Sequence, residues 1–119
     1  MNPTGQIQPL PKEKQLAGGV RLGDLQFDTV CTGVQPDADG FVRTRLADPA
    51  SGRELVQTFD ASYTQCVVYT PPHREAICLE PYTCVPDAIR LAEQGHTTGL
   101  QILKPGESRR STIRIDVRG

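Results

Sequence analysis

Residues 112–118 read Thr-Ile-Arg-Ile-Asp-Val-Arg, and their strict alternation decides the fold class. Side chains of an extended chain point to opposite faces in turn, so Ile113, Ile115 and Val117 fall on one side and Arg114, Asp116 and Arg118 on the other. The pattern predicts a strand with the three aliphatic residues inward and the three charged residues facing solvent.

The same period of two recurs upstream. Residues 41–46 alternate with Val42, Thr44 and Leu46 on one face and Arg43 and Arg45 on the other. The turn cluster Pro36-Asp37-Ala38-Asp39-Gly40 precedes them, and Asp48-Pro49-Ala50-Ser51-Gly52 follows. Residues 54–59 then return the chain, which predicts a hairpin. Residues 25–34 hold a short apolar stretch broken by Asp28 and closed by Gly33. Residues 65–70 contain the nearly continuous apolar run Cys66-Val67-Val68-Tyr69, expected of a central strand covered on both sides. Residues 76–80 and 100–103 read as two more strands. Pro105-Gly106 reads as a type II turn.

One helix is expected, at residues 86–94. Pro86 suits its first turn, Ala88, Ile89, Leu91 and Ala92 make an apolar stripe, and Gly95 suits the position just past its end. Residues 1–19, with Pro3, Pro9 and Pro11, read as an extended entry segment. Six or seven strands with one short helix make an all-β chain. The simplest arrangement is an antiparallel β-sandwich in a single domain over residues 1–119.

Composition agrees with many turns and short elements: of 119 residues, 11 are Gly, 10 are Pro and 37% are hydrophobic. The formal net charge is -1 and the basic residues form no long block, so nucleic-acid binding has little electrostatic support. No apolar run approaches the ~20 residues that a membrane-spanning helix needs. The polar, proline-bearing start lacks the apolar core of a signal peptide, so a cytoplasmic location is expected. No metal or cofactor is called for. The cysteines, Cys31, Cys66, Cys78 and Cys84, show no C-x-x-C spacing. Buried thiols are their expected state, with a Cys78–Cys84 disulfide as the alternative.

Residues 76–83, Ala-Ile-Cys-Leu-Glu-Pro-Tyr-Thr, carry the candidate chemistry. Glu80 closes an apolar strand, where a carboxylate is costly unless it is satisfied or used. Pro81 biases it toward extended backbone. Alternation places Ala76, Cys78 and Glu80 on one face, with Tyr82 next. Small neighbours would leave room for a ligand, and Tyr82 would offer a ring to a sugar's C–H face and a hydroxyl to its polar edge. The competing reading is a strand-end glutamate that is merely hydrogen-bonded or solvated.

Val68-Tyr69-Thr70-Pro71-Pro72 together with that segment resembles the late core motif of bacterial aldose 1-epimerases, or mutarotases. Pro86-Asp87-Ala88 and Leu103-Lys104-Pro105-Gly106-Glu107-Ser108 are similar to the next two signatures of that family. Pro3-Thr4-Gly5 and Leu22-Gly23-Asp24 to Phe27-Asp28 are similar to its mid-sequence pattern. The resemblance runs over essentially the whole chain, in the family's order, and corresponds to the family's C-terminal portion.

What the resemblance implies is part of a galactose-mutarotase-like supersandwich with a sugar cleft across one sheet. It implies that Glu80 is the general base, taking the proton of the anomeric hydroxyl while a histidine protonates the ring oxygen. It also places Asp28 where the family has an aspartate that binds sugar hydroxyls, although Thr29 and Cys31 depart from the residues common there. The family's acid histidine, a second histidine and an arginine lie in a part with no counterpart in these 119 residues. His73 and His96, the two histidines present, read as exposed loop residues. Without the acid, catalysis should fall about a hundredfold or more.

Two functions follow as expectations. One is an incomplete mutarotase that interconverts the anomers of a free hexose, with catalytic Glu80 and substrate-binding Asp28 and Tyr82. The other is a sugar-binding sandwich without chemistry, or a fragment needing a partner chain. Strands missing from a sandwich leave sheet edges open, so homo-oligomerisation through those edges is also expected.

Overall fold

A computed structural model describes residues 3–119. The described chain is mostly β, with strands β1 (Asp28–Thr32), β2 (Phe41–Asp48), β3 (Arg53–Asp60), β4 (Gln65–Tyr69), β5 (Cys78–Tyr82) and β6 (Ile113–Arg118), and one helix, α1 (Ala88–Glu93). A single 3-10 turn, Lys12–Lys14, interrupts the entry segment. The strands form two three-stranded sheets, ordered β1-β4-β5 and β2-β3-β6, and all four pairings are antiparallel. This is the expected all-β, sandwich-like arrangement with one short helix.

The β2–β3 hairpin forms where the turn residues require it. Its register runs from Phe41 opposite Asp60 to Asp48 opposite Arg53. The connecting loop closes when the Gly52 amide donates to the Asp48 carbonyl at 2.9 Å. Gly52 has φ 72°, a conformation open to glycine at little cost. In the preceding turn, Arg43 donates to Asp37 at 2.6 Å and also pairs with Asp39, whose carboxyl that guanidinium holds down to about 2. Thr44 donates to Gln57 across the hairpin at 3.1 Å, which satisfies a buried amide.

Helix α1 ends as its glycine predicts. The Gly95 amide donates to the Ala92 carbonyl at 2.9 Å and the His96 amide to the Leu91 carbonyl at 3.0 Å, with Gly95 at φ 84°. Those two bonds are the Schellman pair that ends many helices on a left-handed residue. At the other end, Asp87 holds the N-cap position at φ 58° without a side-chain capping bond, its carboxylate pairing with Arg90 instead, so Pro86 stands just outside the first turn. Ala88 and Leu91 are buried, whereas Ile89 is 66% exposed, so the apolar stripe is narrower than its residue types suggest. The Pro105-Gly106 turn is of type II, with Glu107 donating to Lys104 at 3.0 Å and Gly106 at φ 85°.

Phe27, Val42, Val56, Phe59, Cys66, Val68, Ala88 and Leu91 form the buried core. That is a small core. The radius of gyration, 15.8 Å, exceeds the roughly 13.5 Å expected of a compact chain this long. The long axis extends 49 Å, against 30 and 27 Å for the others.

Three expectations are corrected here. Residues 100–103 form no strand; Ile102 and Leu103 are 83% and 52% exposed, with no neighbouring strand to supply a ladder. The cysteines are all free, and only Cys66 is fully buried, while Cys31, Cys78 and Cys84 are half-buried. Most telling, β6 is a strand but its aliphatic residues are not inside. Ile113, Ile115 and Val117 are 43%, 58% and 73% exposed. β6 pairs with β3 on one side only, and no layer covers its apolar side. Alternation sorts side chains between faces, and burial needs a second layer as well.

Candidate functional site

The first sheet has one covered face and one open face. Cys66 and Val68, with half-buried Cys31, Leu79 and Pro81, occupy the covered side. Burial pushes the Cys66 thiol up to about 11, helped by neighbouring Cys31, and burial also raises Cys31. Thiols so placed stay protonated and act as small apolar residues.

Register fixes what the open face displays. Asp28 lies opposite Tyr69, which lies opposite Cys78; Val30 lies opposite Val67, which lies opposite Glu80; Thr32 lies opposite Gln65, which lies opposite Tyr82. Alternation therefore puts Asp28, Tyr69, Glu80 and Tyr82 on one face. From strand spacing, Glu80 and Asp28 stand two strands and one row apart, roughly 12 Å between Cα atoms.

Glu80 and Tyr82 meet directly. The Tyr82 hydroxyl donates to Glu80 Oε2 at 3.0 Å. Two residues apart on an edge strand, they can touch only because the chain stays extended through Pro81. Proline costs nothing where the outer edge of β5 has no partner strand. The hydrogen bond to Glu80, and then its negative charge, push the Tyr82 phenol above its ordinary range. The phenol thus stays a donor at neutral pH, and the carboxylate keeps one oxygen engaged while its ring neighbour adds apolar surface.

Two open hollows lie near this sheet. One, of about 580 Å³, is lined by Lys14, Gln26, Phe27, Asp28, Thr29, Tyr69, Thr70 and Pro72. Lys14 Nζ stands 5.2 Å from the centre of the Phe27 ring, which holds a cation at its rim. The other, of about 420 Å³, brings Leu46 of the second sheet near Thr70 and Ile77. Asp28 thus borders a hollow, whereas neither hollow is lined by Glu80 or Tyr82. Glu80 and Tyr82 lie half-buried on this sheet face.

Tyr69 is the residue that reading the sequence passed over. It was legible only as part of an apolar run, and its place beside Asp28 depends on the β1–β4 register. Both histidines are exposed. His73 accepts the Glu75 amide at Nδ1, 3.1 Å away, in the loop after β4. The His96 ring packs on Gly5, so closely that an added Cβ there would sit 2.5 Å from Nε2.

Among the described residues, no cluster of three or more His, Cys, Asp or Glu is placed to hold a metal ion, and no helix is long and apolar enough to cross a membrane. No family model matches the chain, and no solved structure matches it.

Proposed function

We propose that the open face of the first sheet binds a free hexose and that Glu80 is the general base of its anomerisation, as the resemblance to aldose 1-epimerases implies. The observation that carries this reading is the Tyr82–Glu80 hydrogen bond on a face shared with Asp28 and Tyr69. Carboxylates bind sugar hydroxyls and aromatic rings bind the C–H faces of a pyranose, and this face presents two of each. With Oε2 held by Tyr82, Oε1 is the atom to take the anomeric proton. The C1–O5 bond then breaks as solvent water protonates the ring oxygen, C1–C2 rotates, and reclosure returns both protons and gives the other anomer. Four free thiols agree with a cytoplasmic location for this chemistry.

A second reading is sugar binding without chemistry. The positions of His73 and His96 favour it, since one is tied to its own loop and the other to Gly5. Optical rotation after mixing the chain with pure α-galactose or α-glucose separates the two. The proposal expects decay toward equilibrium faster than in buffer, and expects Glu80→Gln to return it to the buffer rate while the sugar still binds. Wild-type and Glu80→Gln chains that speed the decay equally would remove Glu80 from the base role. Binding with no acceleration by either chain would establish the second reading.

A further inference from the structure

β6 is the outermost strand of the second sheet, and its far edge pairs with no described strand. Its ladder to β3 is regular over six residue pairs, from Ile113 opposite Phe59 to Arg118 opposite Glu54. Proteins usually blunt such an edge with Pro, with charged side chains such as Lys, with a bulge or with a covering segment, and here the charged devices are Arg114, Asp116 and Arg118. β6 has neither Pro nor Lys, and its three aliphatic residues are exposed. Two of its three charges are paired within the strand, since Arg114 Nε donates to Asp116 Oδ2 at 2.8 Å.

We propose that this edge pairs with the β6 edge of a second copy of the chain, antiparallel, with Ile115 on the two-fold axis. The strand is a near-palindrome about that residue, which selects the register. With Ile115 opposite Ile115, Ile113 meets Val117 twice and Arg114 meets Asp116 twice. Apolar residues then face apolar ones on one side of the sheet, and opposite charges face each other on the other side. Sliding by one residue places aliphatic residues against charged ones and turns every side chain over. Centring on Asp116 sets Arg114 against Arg118, and centring on Arg114 sets that arginine against itself. Only the Ile115 register matches both faces.

The other three open edges offer less: β1 centred on Val30 sets Asp28 against Thr32, with no pair of opposite charges. A β2 pair centred on Thr44 would set Arg43 against Arg45, and β5 carries Pro81, which has no amide to donate. Pairing at β6 would give a six-stranded sheet ordered β2-β3-β6-β6-β3-β2, with the apolar row Val42, Phe59 and Ile113 continuing into the partner. The interface is isologous, as two-fold association requires. It stands independently of the sugar reading.

Sedimentation equilibrium of the 119-residue chain over a range of concentrations tests it, with circular dichroism confirming that each variant folds. Wild type should dimerise reversibly. Asp116→Arg and Arg114→Asp should each weaken the dimer at least about tenfold, because like charges then oppose twice. The two single variants mixed together should form a heterodimer, and Arg114→Asp/Asp116→Arg should dimerise like wild type. A wild-type monomer at all concentrations overturns the proposal. So does a dimer that both single variants leave intact. Slow amide exchange along β6 in a monomer would mean that another part of the chain covers this edge, and it overturns the proposal too.

Discussion

The two sheets have the same strand count and the same antiparallel pairing, yet they fill their faces differently. In the first, the outer face mixes Asp28, Tyr69, Glu80 and Tyr82 with Val30, Val67 and Cys78, and Cys66 and Val68 lie buried beneath. In the second, the apolar face is buried at Val42 and Phe59 and runs out uncovered at Ile113, Ile115 and Val117. One sheet is finished on its core side and open toward a ligand. The other is open at an edge. Alternating sequence specifies both arrangements equally well, so the difference lies in what packs against each face.

The sharpest way to break this contrast is to truncate one apolar residue at each end of the same row. Phe59 is fully buried, and Ile113 directly opposite it is 43% exposed. Phe59→Ala should cost about 3–5 kcal/mol, enough to unfold a small domain. Ile113→Ala, measured in dilute solution, should cost less than about 1 kcal/mol. Denaturant unfolding of both variants checks this. Equal losses would mean that β6 is covered after all.

A smaller effect belongs to the helix end. Gly95→Ala forces a side chain into φ 84° and should cost about 1–2 kcal/mol, with no change in sugar binding. A thermal melt of the variant measures it.

A pH-dependent effect distinguishes the covered face of the first sheet from its open one. The folded-state pKa of Cys66 is raised to about 11 from an ordinary value of 9.0. The folded chain therefore holds the thiol proton where the unfolded chain has lost it. That contribution is complete below pH 9 and disappears as pH rises through about 11. Unfolding midpoints should fall over this window, and Cys66→Ala should flatten that limb. Tyr82, on the open side, should leave the fall largely in place when changed to Phe.

Much of this architecture was legible. Turn residues located the β2–β3 hairpin, Gly95 located the end of α1, and period two placed Glu80 and Tyr82 on one face. What could not be read was whatever depends on a second layer or a partner strand. Residues 100–103 had the composition of a strand but no neighbour to pair with, and β6 had an inward pattern with nothing inside of it. Tyr69 joined the site only through register, because its own strand reads simply as apolar. Glu80 was singled out as a carboxylate ending an apolar strand and by the family resemblance, whereas its hydrogen bond to Tyr82 depends on the extended geometry of β5.

The central claim is that the open face of the first sheet, with Glu80 and Tyr82 at one side and Asp28 and Tyr69 at the other, is where a sugar binds. Residue-resolved amide NMR of the labelled chain, titrated with galactose and with glucose, tests it most directly. The account predicts saturable shifts that concentrate at residues 28–30, 67–69 and 80–82 and leave the β6 amides at 113–118 unmoved. Shifts centred on the second sheet, or none at millimolar sugar, would contradict it.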